Sequence, residues 1–126
     1  MTTRAGRPCS RRALGKTSAA KLLCEVHRTV EAHLGRELFS SPALEMILDL
    51  YARDEKRPIS LKTLCGAASA PTRTALFTIN RLVEHRILAR HPDASDGRRT
   101  NVELTTAGHR MLDDCLAQIL KIIGKD

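Results

Sequence analysis

A chain of 126 residues has room for one domain and not for a second independent core. With 42% hydrophobic and 28% charged residues it has the balance of a globular protein, and no apolar run approaches the roughly 20 residues of a membrane span. Its 21 Lys and Arg against 14 Asp and Glu leave +7, which points to a polyanionic partner; the three aromatic residues (Phe39, Tyr51, Phe77) are too few for a reader that stacks single-stranded bases, so duplex DNA fits better.

Residues 1–16 lack apolar periodicity and read as a flexible basic arm, with Arg4, Arg7, Arg11, Arg12 and Lys16 and no acid. Such an arm suits DNA contact or solubility, and organellar transit peptides share its composition. Gly15-Lys16-Thr17 resembles the end of a phosphate-binding loop. However, Ser10 stands where that loop needs glycine, and no strand precedes it.

The folded domain is expected over residues 17–126. From Thr17 to Leu34 apolar residues recur at steps of three and four (Ala19, Leu22, Leu23, Val26, Val30, Leu34), which predicts a helix ended by Gly35. Ser41-Pro42 reads as a capping hydroxyl followed by proline at the first helical position. The second helix then places Leu44, Ile47, Leu48 and Tyr51 on one face and stops in the cluster Arg53-Asp54-Glu55-Lys56-Arg57. Ile59 can form a short strand, and Ser60 caps a brief helix through Leu61, Leu64 and Cys65. The small residues Gly66 to Ala70 make a tight turn. Pro71 opens a further helix that buries Ala75, Ile79, Leu82 and Val83. Ile87-Leu88-Ala89 reads as a strand, Pro92 to Gly97 as a turn, and Val102 and Leu104 as the returning strand. Thr105 caps a last helix whose apolar residues are Met111, Leu112, Cys115, Leu116, Ile119, Leu120, Ile122 and Ile123.

The four cysteines contain no Cys-x-x-Cys pair and, without a secretory hydrophobic segment, read as reduced thiols of a cytoplasmic protein. Cys24, Cys65 and Cys115 are expected in the core, and Cys9 sits among arginines that favour its thiolate. Five histidines (His27, His33, His85, His91, His109) show no metal-ligand spacing. No nucleophile motif, paired carboxylates or phosphate cradle points to catalysis, so no enzyme activity, cofactor or metal is expected.

Two helices joined by a tight turn and followed by a hairpin make a winged helix-turn-helix: mainly α, with a small β-hairpin wing. At Asp93-Ala94-Ser95-Asp96-Gly97-Arg98-Arg99-Thr100-Asn101-Val102-Glu103-Leu104-Thr105-Thr106-Ala107-Gly108 the chain resembles the MarR family of bacterial transcriptional regulators. The pattern is acid-x-x-Asp-x-Arg, then a strand ending Leu-Thr, then glycine three residues on. Leu82-Val83-Glu84-His85-Arg86-Ile87-Leu88-Ala89-Arg90 is similar to the family's recognition-helix end and first wing strand, and the resemblance covers residues 41–112. It implies a dimeric DNA-binding regulator, more often a repressor, with helices at both ends for dimerisation and a small-molecule effector among its partners. Two features depart from it. Arg86 replaces the usual glycine after the recognition helix, a left-handed position that costs other residues energy, so this junction is expected to be built differently. The chain is also short after Thr105, with room for one helix.

A recognition helix packs one face and turns the other to base edges. Subtracting the buried positions leaves Thr72, Arg73, Thr74, Phe77, Thr78 and Arg81 outward, chemistry suited to guanine, other bases and phosphate. Phe77, where relatives often carry a polar or basic residue, either touches a thymine methyl or turns sideways onto a neighbouring helix. Arg98 and Arg99 project from the wing tip toward minor groove or phosphate, and by resemblance Asp96 braces Arg98. Leu23, Val26 and Val30 of the first helix and Leu112, Cys115, Leu116, Ile119, Ile122 and Ile123 of the last are the expected dimer seam, because an apolar arc this wide needs a second partner. Two alternatives stay open: a winged-helix module that binds protein, and a basic chromosome-associated protein indifferent to sequence.

Overall fold

The computed structural model describes residues 15–53 and 57–124. Most of the basic arm, with Cys9, and residues Asp54, Glu55 and Lys56 of the charged cluster lie outside the described residues. The elements in chain order are α1 (Lys16–Leu34), α2 (Ser41–Ala52), β1 (Ile59–Ser60), α3 (Leu61–Gly66), α4 (Thr72–Glu84), β2 (Leu88–Pro92), β3 (Thr100–Leu104) and α5 (Thr106–Gly124). This is a mainly helical winged helix-turn-helix, as the element order predicts. The wing gains a third strand. β3 is central in the order β1-β3-β2, and Ile59 faces Val102 while Leu88 faces Leu104, both pairings antiparallel.

α1 ends at Gly35, whose φ of 99° is open to glycine at little cost. Its N–H donates to Glu31 O at 2.9 Å, and its own carbonyl accepts from Phe39 N at 3.0 Å, so the chain turns at once toward α2. The cap of α2 is Ser40 and not Ser41: its hydroxyl accepts the N–H of Ala43 at 3.2 Å. Both serines can cap, and Ser40 holds the extended backbone that a cap requires. Pro42 loses nothing in the first turn, where N–H groups have no acceptor within the helix.

The buried face of α2 also differs from the expected one. Ala43, Met46, Ile47 and Leu50 are buried, whereas Leu44, Leu48 and Tyr51 are half-buried at the edge of the core. α2 is apolar around most of its circumference, so periodicity alone leaves two stripes eligible. Position decides between them: α2 packs on α4, α3 and β3 with one side. Its other side meets α5, where the Tyr51 phenol donates to Asp113 and the Tyr51 and His109 rings lie 5.0 Å apart. His109 Nδ1 stands 3.2 Å from the same carboxylate.

One core joins these elements. Met46, Ile47, Leu64, Ile79, Leu82 and Val102 are wholly buried, with Leu88 and Leu112 nearly so. Each such side chain stabilises the fold by about 1.5–3 kcal/mol relative to exposure. α1 packs along α5 of the same chain, and Val30 on the one helix and Cys115 and Ile122 on the other are buried. Thr29, the buried polar residue among the described ones, is satisfied by donating its hydroxyl to Glu25 O at 2.9 Å. Cys115 is buried as expected, Cys65 is half-buried, and Cys24 is exposed on the outer face of α1, contrary to the core position expected of it. Burial pushes the Cys65 and Cys115 thiols above their ordinary range.

The junction between α4 and the wing explains the pattern Leu-Thr-x-x-Gly. Arg86 takes φ of 64°, the left-handed conformation usually left to glycine. Its N–H donates to Val83 O at 3.0 Å and that of Ile87 to Leu82 O at 2.9 Å, a complete Schellman cap. The junction therefore keeps the left-handed geometry, and the arginine does not force a different one. Thr105 holds it in place: the hydroxyl donates to Arg86 O at 2.6 Å, and the N–H donates to Ile87 O at 3.0 Å. The same hydroxyl oxygen accepts from Gly108 N at 2.9 Å, capping α5. Gly108 has to be glycine, because a Cβ there would stand 2.3 Å from Ile87 O.

Candidate nucleic-acid interface

The helix-turn-helix is α3, the turn from Ala67 to Pro71, and α4. Ser60 caps α3, its hydroxyl accepting from Thr63 N at 3.1 Å. The turn is pinned from behind by Glu45 of α2, whose Oε1 accepts the N–H of Ser69 at 2.7 Å. That backbone bond, then one from the Ser69 hydroxyl, holds the Glu45 carboxyl below the usual carboxylate range. Glu45 is a positioning residue that sequence reasoning missed. Its only signal was an acid on the apolar helix α2.

With Ala75, Ile79 and Leu82 buried, α4 presents Thr72, Arg73, Thr74 and Phe77 to solvent, with Thr78 and Arg81 half-buried. Thr78 donates its hydroxyl to Thr74 O at 2.8 Å, back into its own helix. Phe77 is 62% exposed, so most of its side chain is left uncovered by the neighbouring elements. Its ring borders a groove of about 290 Å³ between α4 and the α1–α2 connection, lined also by Leu38, Pro42 and Arg81.

The wing tip is ordered by its two acids. Asp93 Oδ1 accepts from both the N–H and the hydroxyl of Ser95, at 2.8 and 2.9 Å. Asp96 Oδ1 accepts from the N–H of Arg98 at 3.1 Å and its Nε at 3.3 Å. Arg99 Nε lies 3.9 Å from Asp93 Oδ2. The bonds from Ser95, more than the charge of Arg99, hold the Asp93 carboxyl below its ordinary range. Exposed ion pairs add little stability, so what the acids supply is direction. The Arg98 side chain is 92% exposed while its base is fixed at Asp96.

Wing and helix are tied together by a residue outside the expected set. Arg90 of β2 donates from Nη1 to Asn80 Oδ1 on α4 at 2.7 Å. Lys62 of α3 is also added, because the cleft of about 840 Å³ between α3, the start of α4 and the wing brings it together with Arg98, Arg99 and Thr72. No local pattern marks either residue, since both depend on elements distant in sequence.

At the opposite end, the nine residues expected at a dimer seam divide. Val30, Leu112, Cys115 and Ile122 are buried within the single chain, and Val26, Leu116 and Ile119 are half-buried. Leu23 and Ile123 are exposed, together with Leu120. Among the histidines, His27 meets the Phe39 ring edge-on at 4.5 Å, and His91 Nε2 lies 3.1 Å from Glu103 Oε2. Among the described residues no three His, Cys, Asp or Glu side chains converge on a metal site, and no helix is long and apolar enough to cross a membrane.

These elements define a winged helix-turn-helix with a cationic wing. No protein-family model matches the chain, and no curated protein matches it in sequence. Solved structures match in fold. A mutant of S. aureus MepR bound to an oligodeoxyribonucleotide superposes with a TM-score of 0.74 at 16% identity, covering 94% of this chain and 82% of that one. RV1404 from Mycobacterium tuberculosis gives 0.73 at 17% identity, covering 97% and 81%. YusO from Bacillus subtilis gives 0.72 at 15% identity, covering 87% and 73%. The chain thus shares the fold of these solved proteins, a winged helix-turn-helix like the one its element order implies.

Proposed function

We propose that the protein is a MarR-like transcriptional regulator of the cytoplasm that binds duplex DNA as a homodimer, acting as a repressor at a near-palindromic operator. The observation that carries this reading is the polar outward side of α4, whose first residue Thr72 shares a cleft with Lys62 of α3 and with Arg98 and Arg99 of the wing. Thr72, Arg73, Thr74, Phe77, Thr78 and Arg81 lie on the helix, and Arg98 and Arg99 lie beside it on acids that aim them. α4 would enter the major groove, where arginine reads guanine and threonine suits bases or phosphate. Lys62 would meet the phosphates flanking it, and Arg98 and Arg99 would enter the minor groove or clasp phosphate. The likeness to MepR, one form of which is bound to an oligodeoxyribonucleotide, supports the same docking.

The apolar surface left over supports the dimer. Leu23, Leu120 and Ile123 stay exposed after α1 and α5 have packed on each other, and half-buried Val26, Leu116 and Ile119 adjoin them. Two-fold pairing there would set two recognition helices about 34 Å apart, one turn of duplex.

Selection of bound sites from a random duplex pool, followed by anisotropy titrations across salt, tests the reading. The expected result is an inverted-repeat site bound about a thousandfold or more tighter than random duplex, with affinity falling steeply as salt rises. Equal affinity for all duplexes would leave a sequence-indifferent chromosomal protein, and no duplex binding would leave a protein-interaction module. Either result overturns the proposal.

A further inference from the structure

Phe77 sits at the centre of the outward face of α4, four residues from Arg73 and four from Arg81, so the three side chains share one stripe. A phenyl ring 62% exposed between two cationic positions costs solvation and contributes nothing to the core. The polar groups around it leave it apolar. Thr78 has turned its hydroxyl back to Thr74 O, and Leu38 and Pro42 form the far wall of the groove it borders. An apolar protein partner would not explain the arginines on either side, whereas a duplex explains both. In the major groove the bases offer a single apolar group, the C5-methyl of thymine.

We infer that Phe77 is a specificity-determining residue that reads one thymine methyl in each half-site, the arginines fixing the register on either side. This rests on the duplex-DNA reading above. The contact is with the methyl and not with the base pair, so the preference follows the C5 substituent. Deoxyuridine, which pairs as thymine does, loses the contact, whereas 5-methylcytosine, which pairs with guanine, keeps it.

The test uses the full chain and the duplex that the wild type selects. Each thymine is replaced in turn by deoxyuridine, and affinities are measured for wild type, Phe77→Ala and Phe77→Leu, with folding checked by circular dichroism. One thymine per half-site should weaken wild-type binding about fourfold when its methyl is removed, the worth of one buried methyl group. The same replacement should leave Phe77→Ala unaffected, and Phe77→Leu should retain part of the preference. Changing that thymine to cytosine should weaken wild-type binding, and 5-methylcytosine should recover part of the loss. Equal losses in wild type and Phe77→Ala, or no position sensitive to the methyl, would overturn the inference while leaving DNA binding intact. Failure of the wild type to select any sequence would overturn the duplex reading beneath it.

Discussion

Gly108→Ala tests the account of how α4, the wing and α5 are locked together. The new Cβ would stand 2.3 Å from Ile87 O, 3.1 Å from Ile87 C and 3.2 Å from Thr105 Oγ1. Two of these atoms are backbone, so no side chain can rotate away, and the junction must open by about 1 Å to reach ordinary contact. That carbonyl accepts from Thr105 N at 3.0 Å, and the Thr105 hydroxyl shares its one proton between the neighbouring Arg86 O at 2.6 Å and Ile87 O at 3.2 Å. Disturbing two or three such bonds costs about 1 kcal/mol each. Alanine returns up to about 1 kcal/mol through its better helix propensity. The net loss is about 2 kcal/mol, or roughly 6–12 °C in Tm for a domain of this size. Thermal melts followed by circular dichroism measure it, with Gly66→Ala as the control because nothing lies within 4 Å of a Cβ at that position. The control should melt with the wild type or slightly above it. A Gly108→Ala protein that melts at or above wild type would refute the close-approach argument.

Arg98→Ala should weaken operator binding by about 1–3 kcal/mol with an unchanged melt, read by anisotropy; unaltered affinity would remove Arg98 from the interface. Leu120→Glu, at a side chain 69% exposed in the single chain, should leave the fold intact but give monomers in sedimentation and much weaker operator binding. A dimer that survives it would move the seam elsewhere. Arg86→Gly relieves the left-handed arginine at φ of 64° and should stabilise by about 0.5 kcal/mol, the relief being partly offset by the freer unfolded chain. A lower urea midpoint would contradict this. The Asp93 carboxyl, held low chiefly by the Ser95 backbone N–H, favours the folded wing tip above the ordinary carboxylate range, and this contribution fades as pH falls through its lowered pKa. Titration of its side chain by NMR should report that lowered value, and Ser95→Ala, which keeps the backbone N–H and removes only the hydroxyl, should raise it part of the way toward the ordinary one.

The sequence by itself determined the elements and their order. Helical periodicity in α1 and α5, the Ser60 and Thr105 caps, the small-residue turn and the dense turn residues of the wing are local signals, each read within a few residues. The acid-x-x-Asp-x-Arg pattern was legible for the same reason, since Asp93 and Asp96 bond to groups two residues on. Most of the buried face of α4 was legible because Ala75, Ile79 and Leu82 fall on one stripe, although Val83, expected with them, is half-buried. α2 has two apolar stripes, and only its neighbours decided which was buried. Tertiary structure likewise decided that Arg86 keeps a glycine's conformation. The residues that hold it, Thr105 and Gly108, lie about twenty positions away, and their bonds outweigh a local cost of roughly 1–2 kcal/mol. It decided that Val30, Leu112, Cys115 and Ile122 are buried within the single chain, which leaves Leu23, Leu120 and Ile123 outside. Periodicity reports that a face is apolar and says nothing of what covers it, because the hydrophobic effect has no direction and any apolar surface will serve as partner.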